Sequence, residues 1–135
     1  MTSLQEDPLV VYIIVREELN MSGGKIAAQC SHAIQKLLVK YFFLQVFLAS
    51  KKALPKNELK HLEMTQKWIE NLSRKVILKA DDKEWERLKK EFHSECFIVV
   101  DAGLTEIPAN TETVMCLWPI HKSEKPKSIK KLQIL

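Results

Sequence analysis

Glycine is scarce in this chain. The three that occur, Gly23, Gly24 and Gly103, fall in Ser22-Gly23-Gly24-Lys25 and Asp101-Ala102-Gly103-Leu104-Thr105, beside its most suggestive polar residues. Glycine permits positive φ and close backbone approach, so its restriction to two places predicts two special turns rather than a loop-rich fold. The plainer alternative is that each turn only joins a strand to the next element.

Cysteine is scarce too. Cys30, Cys96 and Cys116 are odd in number, lie in apolar segments and form no Cys-x-x-Cys pair, which excludes a disulfide framework and predicts reduced, buried thiols. His32, His61, His93 and His121 lack ligand spacing, so neither a structural metal nor a cofactor is expected. Long apolar runs are also missing. The most apolar stretch, Leu37 to Ala49, is broken by Lys40 and Gln45 and is too short for a bilayer, so no membrane partner is expected. Met1 to Pro8 is polar and acidic, without the basic-then-apolar order of a secretion signal, and a cytoplasmic location is expected.

What remains is a globular composition, 46% hydrophobic and 28% charged, sufficient for one domain over residues 9–135 behind the polar segment 1–8. Charge is uneven. Of 21 basic and 17 acidic side chains, residues 121–135 hold five lysines (Lys122, Lys125, Lys127, Lys130, Lys131) and one glutamate, leaving sixteen of each sign elsewhere. A basic strip of this kind suits a phosphate-backbone partner, and it equally suits a solvated terminal helix.

Leu9 to Val15 is a nearly unbroken β-branched run, expected as a central strand buried on both faces. Ser22 is a candidate cap for a helix to about Ala49, and a second helix follows from Asn57 to about Leu72. Lys75 to Lys79 reads as a strand. Asp81-Asp82 caps a short helix with Trp85, Leu88 and Phe92 at helical spacing, Cys96 to Val100 and Thr113 to Trp118 read as further strands, and Lys127 to Leu132 as a last helical turn. Strands separated by helices imply crossovers. The expected fold is therefore α/β, a three-layer αβα sandwich around a four-stranded, mostly parallel mixed sheet. Ligands gather at the carboxyl ends of such strands, where both glycine segments would meet if the first and third strands were neighbours.

Lys25 stands where a helix start carries partial positive charge, which disfavours a cation by about 0.3–1 kcal/mol. A compensating carboxylate is needed, and Asp101, closing a buried strand, is the best candidate. Lys25, Gln29, His32 and Lys36 recur at three- or four-residue spacing as one polar stripe, while Ala27, Ala28 and Ala33 are small enough for close packing on a sheet. A solvated face is the other reading of that stripe. Ile26 follows Lys25 where a nucleotide-hydrolase loop needs Ser or Thr, and adjacent Ser31 and His32 diverge on a helix, which excludes a nucleophile–base pair between them.

Gly24-Lys25-Ile26-Ala27-Ala28-Gln29-Cys30-Ser31-His32-Ala33, followed by Asp101-Ala102-Gly103-x-Thr105-x-Ile107 and Thr113-Val114, closely resembles the type II peptidyl-tRNA hydrolases in order and spacing. The resemblance extends to the first strand with Arg16 and to Lys75–Lys79, covering most of the chain outside residues 40–72. It implies metal-free hydrolysis of the ester joining a peptide to the 3′ ribose of tRNA. By the same resemblance the catalytic residues are Lys25, Asp101 and Thr105, with Gln29 beside them and Thr113 a second hydroxyl candidate; Gln29, His32, Lys36, Gly103 and Thr113 are the residues expected to bind substrate. The implied partner is peptidyl-tRNA, held by its phosphates, with a homodimer as a further expectation.

The chain departs from the family pattern at Leu104, at Asn110 in place of a glycine, at Leu117-Trp118-Pro119 in place of a Gly-Pro turn, and at Gly23 in place of a lysine. Trp118 is either a stacking face for the terminal adenosine or part of the core. The rival functions are a catalytically weakened relative acting as a tRNA-binding module, and a protein-interaction module using the apolar helix around Phe42, Phe43 and Phe47.

Overall fold

Every residue of the first strand, β1 (Leu9–Arg16), is buried up to Val15, and its side chains divide between two cores. Leu9, Val11, Ile13 and Val15 enter one; Val10, Tyr12 and Ile14 enter the other. Period-two alternation with apolar residues on both sides requires cover on both faces, and the helices supply it. The structure is a computed structural model and describes residues 7–104 and 107–135.

After β1 come a short 3-10 turn (Glu17–Leu19) and α1 (Gly23–Ala49), then α2 (Lys56–Glu70), β2 (Lys75–Ala80), α3 (Asp82–Phe92) and β3 (Cys96–Val100). The chain ends with β4 (Glu112–Leu117), β5 (Ile120–His121), α4 (Lys127–Lys130) and β6 (Gln133–Ile134). α1 and α2 cover the first face, with Ala33, Leu37, Leu62 and Trp68 buried against it. Trp85 and Leu88 of α3, with Ile129 of α4, seal the second. This is the expected three-layer α/β arrangement. Asp81 starts α3 with a full capping box, accepting from the Glu84 N–H at 2.7 Å while its own N–H donates to the Glu84 carboxylate at 3.0 Å.

The sheet differs from expectation in size and direction. It has six strands in the order β3-β4-β1-β2-β6, with β5 beside the first residues of β1. Among the described residues only β1 with β2 is parallel, and the other four pairings are antiparallel. The reason lies between β3 and β4. Among the described residues between β3 and β4 no helix forms, and the Asp101 N–H donates to the Thr111 carbonyl while the Asn110 N–H donates to that of Asp101, both at 2.8 Å, so the chain returns antiparallel. A parallel return needs a crossover of a dozen or more residues. β5 and β6 hold two residues each, too few for any alternation to show.

The cysteines are all free, with Cys30 and Cys116 buried and Cys96 partly so. Among the described residues no helix is long and apolar enough to cross a membrane.

Candidate active site

β1 and β3 are not neighbours, yet both run antiparallel to β4, which lies between them. They therefore point the same way and end on the same rim. The turn after β1 delivers the start of α1, the residue after β3 is Asp101, and the two glycine segments converge. Lys25 Nζ lies 2.5 Å from Asp101 Oδ1, across 76 positions of sequence. The side chains of Lys25 and Asp101 are 12% and 4% exposed, so the pair is largely withdrawn from water.

Two further hydrogen bonds hold that carboxylate, and two more brace the groups around it. Gln29 Nε2 donates to Asp101 Oδ1 at 3.3 Å, and the Gly103 N–H donates to Oδ2 at 2.8 Å. Buried Thr113, on β4, donates its hydroxyl to Gln29 Oε1 at 2.5 Å. That bond occupies the amide oxygen and turns the amide nitrogen toward Asp101; the reverse orientation would oppose two oxygens. Asn110, at φ +67°, anchors the loop through the Asp101 carbonyl in the left-handed conformation that asparagine tolerates. The hydrogen bond from Lys25 and then that from Gly103, opposed by burial, hold the Asp101 carboxyl below its ordinary value of 3.8. At neutral pH it is an anion and a weak base.

The pair opens onto a cavity of about 520 Å³ lined by Ser22, Gly24, Ala28, His32, Ala102 and Leu104 among others. At Gly23 and at Gly24 a Cβ would meet nothing within 4 Å among the described residues. Gly103 is different. It sits at φ +80°, and a Cβ there would fall 2.6 Å from the Ala109 nitrogen. Ala33 packs on the sheet with no exposure, whereas Ala27 and Ala28 are exposed, against expectation, and Ala28 keeps the cavity wall low.

The polar stripe on α1 is graded. Gln29 is buried, Lys25 is intermediate, and His32 and Lys36 are exposed, with Lys36 in the next groove along the helix. Thr105 lies outside the described residues. Trp118 is a core residue, stacked on His61 at 4.7 Å and edge-on to Phe97 at 4.9 Å, which is the core reading of the two open at that position. The lysine tail lies at the opposite rim, since His121 pairs with Leu9 at the start of β1. Lys122, Lys125 and Lys130 join Arg74 and Lys75 around a cavity of about 690 Å³ whose described lining contains no acid. Sequence reading did not connect Arg74-Lys75 to the tail, because only the β1–β2 pairing brings them together.

Burial pushes the Cys30 thiol up to about 11, so it supplies no thiolate nucleophile at neutral pH. No group of three or more His, Cys, Asp or Glu side chains suited to a metal ion occurs among the described residues.

A family model described as peptidyl-tRNA hydrolase PTH2 matches residues 9–135. The chain belongs to this family. Among peptidyl-tRNA hydrolases, that of Pyrobaculum aerophilum is 31% identical over 79% of this chain and 81% of its own. That of Methanopyrus kandleri is 33% identical over 83% and 85%. Peptidyl-tRNA hydrolase 2 of Saccharomyces cerevisiae is 31% identical over 90% of this chain and 57% of its own. The strand carrying Arg16, the start of α1 and the Asp101 loop all fall inside the matched range.

Proposed function

We propose that this member of the peptidyl-tRNA hydrolase family hydrolyses the ester between peptide and tRNA, releasing tRNA for reuse. The observation that carries the reading is the Lys25–Asp101 pair at an open pocket beside a helix start. In the reaction a water oxygen bonds to the acyl carbon, the bond from that carbon to the ribose 3′ oxygen breaks, and that oxygen takes a proton as the peptide leaves with a free carboxyl group. The critical demand is stabilisation of the carbonyl oxygen as it becomes negative. Lys25, with the backbone N–H groups of the first turn of α1, supplies positive potential for it.

Asp101 then orients Lys25 and the attacking water. A carboxyl group held below 3.8 is poorly matched to taking a proton at neutral pH, so orientation suits it better than general-base work. Gln29 and Thr113 position Asp101 from behind, Gly103 fixes its second oxygen, and Thr105 is proposed to share in holding the water. His32 and Lys36, exposed further along α1, are proposed to contact substrate, and the lysine tail to hold phosphates from the far rim. The reaction belongs where translation runs, in the cytoplasm. Nothing in the site favours the binding-only alternative.

The test is release of free tRNA from purified peptidyl-tRNA. Lys25→Ala is expected to lower turnover by about 10²–10³-fold, the scale of removing one oxyanion donor, a larger effect than the loss of thermal midpoint from leaving buried Asp101 without its ammonium. Full turnover in that variant would overturn the assignment.

A further inference from the structure

The catalytic cavity does not end at His32. His32 and Val100 also line a second groove of about 620 Å³, continued by Val39 and Phe43 of α1 and by Phe97 and Val99 of β3. Its apolar lining is open to solvent, with Phe43 62% and Val100 50% exposed. Along its other side β3 is the last strand of the sheet, so among the described residues the outer backbone edge of β3 pairs with no strand.

We propose that this groove receives the peptide of the substrate as an extended chain. The inference rests on the hydrolase reading, which puts the scissile carbonyl in the cavity beside the Lys25–Asp101 pair and requires the acyl chain to leave that point in some direction. Toward Ser22 and Gly24 the cavity meets the positive end of α1, which suits the anionic nucleotide half. Toward Phe43 it meets apolar side chains and a strand edge. An open edge offers N–H and C=O groups in alternation, which a peptide backbone matches and a phosphate backbone, having only acceptors, does not. Main-chain pairing on β3 with side chains against Val39 and Phe43 gives affinity with little sequence preference. From His32 to Phe43 α1 advances about 16 Å, room for about five extended residues. Lys36 and Lys40 also line the groove and are exposed, which leaves RNA as the competing occupant that the experiment must separate.

The experiment compares KM and kcat for two substrates on the same tRNA, one carrying a single N-acetylated residue and one an N-acetylated apolar pentapeptide. The wild type is expected to show the lower KM for the pentapeptidyl substrate. The double variant Val39→Ser, Phe43→Ser is expected to raise that KM roughly tenfold, the scale of losing one good apolar contact, and to leave the single-residue substrate unchanged. Val39→Ser alone, at a half-exposed position, gives a smaller shift of the same kind and guards against misfolding of the double variant. Phe42→Ser, a neighbour equally exposed but outside the groove, changes neither substrate. An equal rise in KM for both substrates would assign the groove to RNA, and no change in either would make it idle; each overturns the proposal while the hydrolase reading stands. A wild type that turns over neither substrate sinks that reading and the peptide groove with it.

Discussion

Asp101 accepts from Lys25, Gln29 and Gly103, and each partner leaves a measurable trace. Its carboxyl group lies below 3.8 in the folded protein, chiefly through the hydrogen bond from Lys25. The sign follows from linkage: a depressed folded value stabilises the protein above the unfolded pKa, and that contribution is lost as the pH falls through the folded value. Carbon-13 NMR titration of the carboxyl is expected to give a midpoint below 3.8 in the wild type and a higher one in Lys25→Met, where burial is no longer opposed by the ammonium. An unchanged midpoint would mean that the pair does not persist in solution. Gly103→Ala tests the other oxygen. The left-handed conformation alone costs a non-glycine residue about 1–2 kcal/mol, and the clash with the Ala109 backbone adds to it. Thermal unfolding is expected to show at least that loss, with turnover falling further because the Gly103 N–H no longer fixes Asp101. Glycine at 24 carries no such constraint, so scarcity of a residue type marked both turns without distinguishing their reasons.

At the scale of elements, the site depends on a tie between α1 and β4. Thr113 is wholly buried, and its hydroxyl orients Gln29, which is 3% exposed. Thr113→Val keeps the shape and removes the donor, leaving a buried amide oxygen without its partner at a cost of about 1–3 kcal/mol. The expected outcome, if Gln29 acts through Asp101 as proposed, is a lower thermal midpoint together with reduced kcat and little change in KM. A rise in KM alone would instead make Gln29 a direct substrate contact. The stripe Lys25, Gln29, His32, Lys36 was visible from spacing, but which members are buried was not. Burial of Gln29 depends on how α1 lies against β4, and helical periodicity fixes a face without fixing the tilt of the helix on the sheet.

Across the whole molecule, the rim carrying Lys25 and Asp101 and the lysine tail stand at opposite ends of β1, about 25 Å apart by the rise of an eight-residue strand. The far groove gathers Arg74, Lys75, Lys122, Lys125 and Lys130 without an acidic lining residue. If it holds phosphates, the affinity for peptidyl-tRNA falls with salt, and replacing Lys122, Lys125 and Lys130 by Gln lowers the log–log slope by about 2–3 units without altering kcat. Filter binding across a salt series measures that slope, and an unchanged value would leave the tail a solvated terminus. Much of this molecule was legible along the chain. The buried central strand, the long helix after Ser22, the Asp81 cap and the pairing of Lys25 with a distant carboxylate follow from local chemistry, since a doubly apolar run needs two covers and a cation at a helix start needs an anion. The direction of β3 and β4, the fate of Trp118, the groove beside β3 and the convergence of Arg74 with the tail are tertiary outcomes. They turn on which strands pair and in what sense, and that is decided by contacts between segments whose separation in the chain carries no signal in the spacing of residues.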